Sequence, residues 1–340
     1  MTNAKPKRPA AVTMRDVAQR LGVSAMTVSR ALRGDSGIAE PTRERVLAEV
    51  AALGYRRNDL ARQLRTGAAH ELVGLVVTNL ANPFYSQLAV GVEEVATEHG
   101  VGVVVASTDA DVDRERQLVL DMAGRRIAGL VVVPASNDHS HLAPDQLDGA
   151  PVVLAATPPR GIEVDCVFVD DFNGTYEACQ QLIARGHTRI GFLGLPLSLW
   201  TGSERYRGYA AAMEDAGLHV DEQHVSRHRG NIELAEQATQ QMLALPVPPT
   251  ALITANNRNT VGALRSLRHS PTPVALAGFD DIELADLLQL PLSVVAYDAV
   301  DVGRQAARLL FSRIDEPSDH KAGRQQVIIP TRVIDYPRPT

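Results

Sequence analysis

The chain has 340 residues, 45% of them hydrophobic, so it is long enough for two or three domains and too apolar to be disordered. Its net charge of −6 argues by itself against a polyanionic partner, but the charge is uneven: residues 1–70 hold 13 Lys/Arg against 6 Asp/Glu, and the remainder holds 21 against 34. No apolar run reaches the roughly 18 residues of a membrane span, and no apolar segment follows the basic start MTNAKPKRPA as it would in a secretory signal. Cys166 and Cys179 form no CxxC pair or disulfide framework, so a reducing cytoplasm is the expected location.

A basic head on an acidic body is the asymmetry expected when one segment meets nucleic acid and the rest does not. The competing reading is a basic tail without structure, and pattern decides between them. Thr13, with Asp16 three residues on, can cap a helix start. Val17, Ala18 and Leu21 then share a helical face, and Gly22 supplies a tight turn. Ser24 is a good cap for a second helix, whose apolar Val28, Ala31 and Leu32 recur at three and four. Two short helices around a glycine turn make a helix-turn-helix. The face opposite Val28 and Leu32 carries Ala25, Met26, Ser29 and Arg30. A third helix follows, with Pro41 in its first turn, Val46, Leu47, Val50 and Leu53 as its buried stripe, and Gly54 as its stop. Next, in RRNDLARQLRTG, Asn58 can cap a helix with Leu60 and Leu64 one turn apart. A helix this short is marginal alone.

The runs VTMRDVAQRLGVSAMTVSRAL, TRERVLAEVAALGY and LARQLRTG, in this order, resemble the lac/galactose repressor family of bacterial transcription regulators. The resemblance implies that Ala25 and Met26 touch base edges, that Ser24, Thr27 and Ser29 bond phosphates, and that Arg30 reaches a base or a phosphate. Thr13, Arg33, Tyr55 and Asn58 are further DNA-contact candidates, Arg33 standing where the family usually has asparagine. Ala39 replaces the usual serine cap of the third helix. The resemblance makes Leu64 a wedge in a minor-groove base step. The boundaries expected are 11–57 for the DNA-binding domain and 58–67 for a hinge helix.

From Glu71 onward, short apolar runs alternate with helical stretches: LVGLVV, VGVVVAS, GLVVVPA, PVVLAA, CVFVD, RIGFLG, ALITAN, VALAGFD and LSVVAYD. Runs this apolar suit strands buried on both faces of parallel sheets in a doubly wound α/β architecture. The length suits two such sheets. No GxGxxG, Walker or GxSxG motif is present. Asp109, Asp111 and Asp113 make a DxDxD run, but Arg114 and Leu120 occupy the positions where a calcium loop needs glycine and glutamate. His139 and His141 read as a solvated loop rather than a metal site. The reading is therefore a binding protein, not an enzyme, with no cofactor and no metal.

The family resemblance continues through NPFYSQLAVGVEEVA, STDADVDRERQLV, VDDFNGTYEACQQLIARGHTRIGFLG, ERYRGYAAAMEDAGL, PPTALITANNRNTVGALRSL and AGFDDIELA. It implies a two-lobed periplasmic-binding-protein-like core of two doubly wound parallel sheets, with a ligand held at the strand ends between the lobes. One lobe is expected over 71–168 plus about 298–327, the other over 169–297 plus about 328–338. Effector-binding candidates are Asn82, Phe84, Tyr85, Trp200, Thr201, Arg205, Asn256, Asp280 and Tyr297. Arg205 matches the family's effector-binding arginine, and a surface ion pair is its alternative role. Trp200 falls in the loop LSLWTGSERYRG, either stacked on a ligand or bracing the loop. Asn257 stands where aspartate is usual, Arg258 where an apolar residue is usual, and Ala156 where a polar contact is common. These departures tilt the pocket from a simple sugar towards an anionic or otherwise unusual ligand.

The expected partners are double-stranded operator DNA, a small-molecule effector (a sugar or related metabolite) and a second copy of the chain, with no membrane. PTRVIDYPRPT reads as a strand with a proline-rich end and shows no leucine heptad, so a homodimer is the simplest assembly. The resemblance implies a repressor whose operator affinity is controlled allosterically. A free ligand-binding protein and a non-specific architectural DNA protein are the rival classes. The effector alternatives to a sugar are a nucleoside or base, an anionic metabolite, or a partner protein.

Overall fold

The computed structural model describes residues 12–32, 35, 37–53, 72–228, 230–268, 270, 272–283, 285–288, 291–315 and 323–336. The chain divides into two units, 1–69 and 70–340.

The first unit holds α1 (Met14–Leu21), α2 (Ala25–Leu32) and α3 (Glu40–Ala52). The capping box forms: the Asp16 N–H donates to the Thr13 hydroxyl, and the Asp16 carboxylate accepts the Thr13 N–H at 2.7 Å. Gly22 ends α1 at φ 66°, a left-handed position that glycine adopts without strain. Val17, Ala18, Val28, Ala31 and Val46 are buried together. Val46, Val50 and Leu53 keep the helical repeat of α3, whereas Leu47 is 44% exposed. One residue past Val46 lies about 100° around the helix, which corrects its expected place in the buried stripe. Ala39 makes no capping bond, as its side chain dictates. Arg33, Tyr55, Asn58, Leu64 and the hinge helix expected over 58–67 lie outside the described residues.

The second unit has two six-stranded sheets. In chain order its elements are β1 (Leu72–Val77), α4 (Pro83–Glu98), β2 (Gly102–Ser107), α5 (Val112–Gly124), β3 (Leu130–Val132), β4 (Val152–Ala155), β5 (Asp165–Val169), α6 (Asp171–Ala184), β6 (Ile190–Gly194), α7 (Trp200–Asp215), β7 (Val225–Arg227), α8 (Ile232–Leu243), β8 (Ala251–Thr254), α9 (Asn257–Leu267), β9 (Ala275–Phe279), β10 (Leu292–Ala296), α10 (Ala299–Ile314), β11 (Gln326–Ile329) and β12 (Arg332–Tyr336). The first sheet runs β11-β5-β4-β3-β1-β2, all parallel. The second runs β12-β10-β9-β8-β6-β7, with β12 antiparallel to β10. Each sheet anchors one lobe, and the chain passes between them after β5, after β10 and after β11. β11 carries the first sheet to Ile329, two residues past the 327 limit drawn from the sequence. β2 corrects the expectation of strands buried on both faces. It lies at a sheet edge, and Val104 and Val105 are 39% and 40% exposed.

Helices α4 and α10 cover one face of the first sheet and touch through two glycines. A methyl on Gly91 would meet the Val300 carbonyl, and one on Gly303 the Leu88 carbonyl. These are backbone atoms, which cannot swing aside as a side chain can. Gly91→Ala gains about 1 kcal/mol of helix propensity. It is nevertheless expected to destabilise the protein by roughly 1–3 kcal/mol through overpacking. The check is the urea midpoint, which falls at unchanged slope; an unmoved or raised midpoint would show that separating the helices costs no more than the propensity gained.

Candidate functional sites

On α2, Met26 is 66% exposed and projects from a polar face. The Thr27 N–H donates to the Ser24 hydroxyl at 3.0 Å, and the two hydroxyls lie 2.9 Å apart. The Ser24 hydroxyl therefore caps the helix, and the Thr27 hydroxyl is bonded to it. Ala25 is half-buried and packs against the unit's core, so it is not a freely outward residue. Ser29 is half-buried. Arg30 forks onto Asp35, Nε to Oδ2 at 2.8 Å and Nη2 to Oδ1 at 3.2 Å. Asp35 also accepts the Gly37 N–H at 2.9 Å. The hydrogen bond and the charge of Asp35 raise the pKa of Arg30. The guanidinium expected to reach DNA is thus held on a carboxylate here.

In the second unit a cavity of about 720 Å³ lies between the lobes. Its walls are the segments that follow β1, β2, β3 and β4 on one side and β6, β7 and β8 on the other. Parallel strands end together, so their following loops converge at the carboxyl edge of each sheet. Of the effector candidates, Asn82, Tyr85, Trp200, Thr201 and Asn256 line this cavity. Sequence reasoning missed Thr78, Asn79, Ser136, Asn137, Thr157, Ser198 and Asn231, which line it too. Each is a polar residue within a few positions of a strand end or helix start, and that spacing is the signal that could have found them. Asp109, Ala110 and Ala156 have φ of 55°, 57° and 63°, unusual for side chains with a Cβ, and all three line the cavity.

Trp200 is corrected from a loop residue to the first residue of α7. It reaches across the lobes, edge to face with Phe168 of β5 at 5.9 Å, with the Arg160 guanidinium 5.9 Å from its ring. Asn82 caps α4 by accepting the Phe84 N–H, and Asn256 caps α9 by accepting the Asn259 N–H. Phe84 packs against the core and meets Tyr297 at 6.1 Å, away from the cavity wall.

Arg205 and Asp280, both buried, and the half-buried Tyr297 also lie off the wall, in a hub of their own. Arg205 donates from Nε to Asp171 at 2.7 Å and from Nη1 to the Ala255 carbonyl at 2.6 Å, with Asp280 3.5 Å away. The guanidinium lies 3.6 Å from the centre of the Phe279 ring. It is neither a surface ion pair nor a clamp open to the cavity. Burial works against its charge, but Asp280 and Asp171 outweigh burial and raise its pKa. The Tyr297 hydroxyl donates to Asp280 at 2.8 Å. Burial, then Asp280, pushes that phenol well above its ordinary range.

His139 and His141 are likewise corrected: both are buried, not solvated. Glu115 is fully buried; one oxygen meets His141 Nε2 at 2.9 Å and the other accepts the Ala135 N–H at 2.7 Å. His139 Nδ1 accepts the Arg160 N–H at 3.0 Å. These bonds fix the 134–142 segment, part of which walls the cavity. Among the described residues no cluster of three or more His, Cys, Asp or Glu could hold a metal. No described helix is long and apolar enough to cross a membrane.

Burial pushes the Asp171 carboxyl up to about 6, against the pull of Arg205. A raised carboxyl binds its proton more tightly in the folded chain. Its stabilising contribution is complete below the unfolded value near 4 and is lost as pH rises through about 6. The stability difference between wild type and Asp171→Asn is therefore expected to shift in favour of wild type as pH falls from 7 to 5. The limit is about 1.4 kcal/mol per pH unit. Urea denaturation at both pH values measures it, and parallel profiles would exclude this titration.

A model of the lacI family of bacterial regulatory proteins matches residues 13–58. A model of periplasmic binding proteins and the sugar binding domain of the LacI family matches residues 70–338. The chain is 31% identical over 311 residues to the ribose operon repressor of Escherichia coli (strain K12), covering 90% of this chain and 94% of that one. It is 28% identical over 312 residues to the HTH-type transcriptional repressor CytR of the same strain, covering 91% of each. It matches the solved Lac repressor bound to ONPG in the repressed state with a TM-score of 0.81 and 25% identity, over 95% of this chain and 98% of that one. It matches the complex of the transcriptional regulator CelR with cellobiose with a TM-score of 0.71 and 28% identity, over 97% and 99%. The chain belongs to the LacI family of bacterial transcription regulators, a DNA-binding helix-turn-helix domain joined to a periplasmic-binding-protein-like core.

Proposed function

We propose that this regulator is a cytoplasmic homodimeric repressor that acts by binding rather than by turnover. Two copies of α2 enter successive major grooves of a near-palindromic operator. Ser24, Thr27, Ser29 and Arg30 serve phosphates and groove edges, and Met26 meets bases by apolar contact. Thr13, Ala25, Arg33, Tyr55 and Asn58 complete the DNA face, and Leu64 wedges the central step. An effector between the lobes changes operator affinity by favouring one lobe arrangement.

The observation that carries the effector reading is the cavity lining. Its polar groups are mainly amides and hydroxyls, beside Tyr85 and Trp200. That chemistry suits a neutral, hydroxyl-rich small molecule such as a sugar or a nucleoside. The cavity guanidinium, Arg258, already donates to the Gly230 carbonyl at 2.8 Å, which disfavours the anionic ligand. The relatives named for ribose and bound to cellobiose point the same way.

A thermal-shift panel of sugars, nucleosides and phosphorylated or carboxylated metabolites tests this. A true effector at 100 times its Kd stabilises by about 2.7 kcal/mol and changes the emission of Trp200, the only tryptophan. Stabilisation by the anions alone would overturn the neutral-ligand reading. On the DNA side, operator selection is expected to show that Met26→Ala relaxes preference at one position, by less than the roughly 1–3 kcal/mol of a bidentate hydrogen-bonded pair. Arg30→Ala is expected to weaken binding more severely. Identical selected sites for wild type and Met26→Ala would show that Met26 reads nothing.

A further inference from the structure

Two adjacent residues at the start of α9 touch two adjacent residues at the start of α4, one helix from each lobe. Asn257 Nδ2 donates to Asn82 Oδ1 at 2.8 Å, and both side chains are buried. Arg258 Nη1 lies 3.5 Å from the Ala81 carbonyl, while its Nε is braced on Gly230. Asn82 Oδ1 also accepts the Phe84 N–H at 3.0 Å. Its oxygen therefore faces two donors, and the amide cannot be turned over without setting its NH2 against both. Position 257 consequently needs a donor. An ionised carboxylate there would face the Asn82 oxygen with nothing to share.

We infer that Asn257 and Arg258 are positioning residues that clasp the two lobes beside the cavity, rather than residues that read the effector. The clasp joins the two lobes directly, through protein groups of both. It sets the cavity width that an effector must fit, and it reduces the ordering that effector binding must supply. The consequence for the effector rests on the proposed function, but the clasp itself can be tested without a ligand. Trp200 bridges the lobes at the cavity, so its accessibility reports their separation.

The experiment is acrylamide quenching of Trp200 in the full-length chain, with circular dichroism to verify folding. The variants are Asn257→Ala, Asn257→Asp, and Asn82→Ser, which keeps a capping hydroxyl too short to reach across. Loss of one such bond is expected to raise the open-to-closed ratio about 5-fold, or about 1 kcal/mol. Quenching should therefore rise in all three variants at pH 8. As pH falls through the carboxylate range, Asn257→Asp should return towards wild type at the same pH, because a protonated carboxyl can donate. Asn257→Ala should not return. Wild-type quenching in either Asn82→Ser or Asn257→Ala would overturn the clasp, as would an Asn257→Asp profile that tracks Asn257→Ala. A clasp that passes alongside a ligand panel that fails would separate the two readings.

Discussion

The strand ends of the second unit are organised around a positive charge held out of water, that of Arg205. A bare guanidinium in a protein interior costs several kcal/mol even after relaxation, so Arg205 persists only because its partners come to it. Those partners are the first residue of α6, the carbonyl after β8 and the residue after β9. Asp171 stands just past the first passage between the lobes, and Tyr297, bonded to Asp280, stands in the second. The hub thus ties strand ends to crossing segments. A change that moves the strand ends must either carry these bonds with it or leave a buried charge unpaired.

The cavity inherits its shape from the same strand ends. Asp109, Ala110 and Ala156 line it in left-handed backbone, and Asp280 at φ 68° adds a fourth such residue beside the hub. Side chains with a Cβ occupy that region at a cost of order 1 kcal/mol or more. Asp109 and Ala110, two and three residues past β2, and Ala156, directly past β4, mark where tight turns redirect the chain to form the rim, and Asp280 marks the corresponding turn past β9 at the hub. Glu115 braces the rim from below by holding the Ala135 N–H and His141. Wall and hub are therefore fixed by different groups, and a ligand meets a surface whose supports lie behind it.

Much of this was legible in the sequence because it rests on local rules. The Thr13–Asp16 box, the Gly22 turn and the nine apolar runs follow from capping, backbone freedom and hydrophobic pattern. What was not legible depends on contacts between distant segments. The run VGVVVAS reads as an interior strand, but only the sheet order makes it an edge. His139 and His141 look like loop residues until Glu115, more than twenty positions earlier, is brought beneath them. Arg205 was recognisable as important, yet its burial depends on Asp171 and Asp280, which pattern alone could not bring to it. The short β7 and β11 carry too little apolar signal to stand out. Asn257 and Arg258 were visible as departures from the family pattern, but their charge and polarity pointed to a ligand. Geometry gives them a partner in the opposite lobe instead.

The first unit meets the same problem of a charge and its partner under opposite conditions. Its Arg30–Asp35 pair is partly exposed, with 41% and 35% of the two side chains accessible. Solvent screens an exposed pair of this kind, so on the role proposed for Arg30, exchanging the carboxylate for DNA is inexpensive. The fork still orients the guanidinium before DNA arrives, which spares part of the rotamer entropy a free arginine loses on binding. It also places a negative charge beside the DNA-facing helix. A non-specific duplex offers little beyond phosphate charge, and Asp35 offsets part of that attraction. A base edge aligned with the oriented fork adds directional hydrogen bonds that phosphate charge does not. On the role proposed for Arg30, the same carboxylate weakens indiscriminate binding more than it weakens the correct contact, so an acidic residue in a basic head favours selectivity.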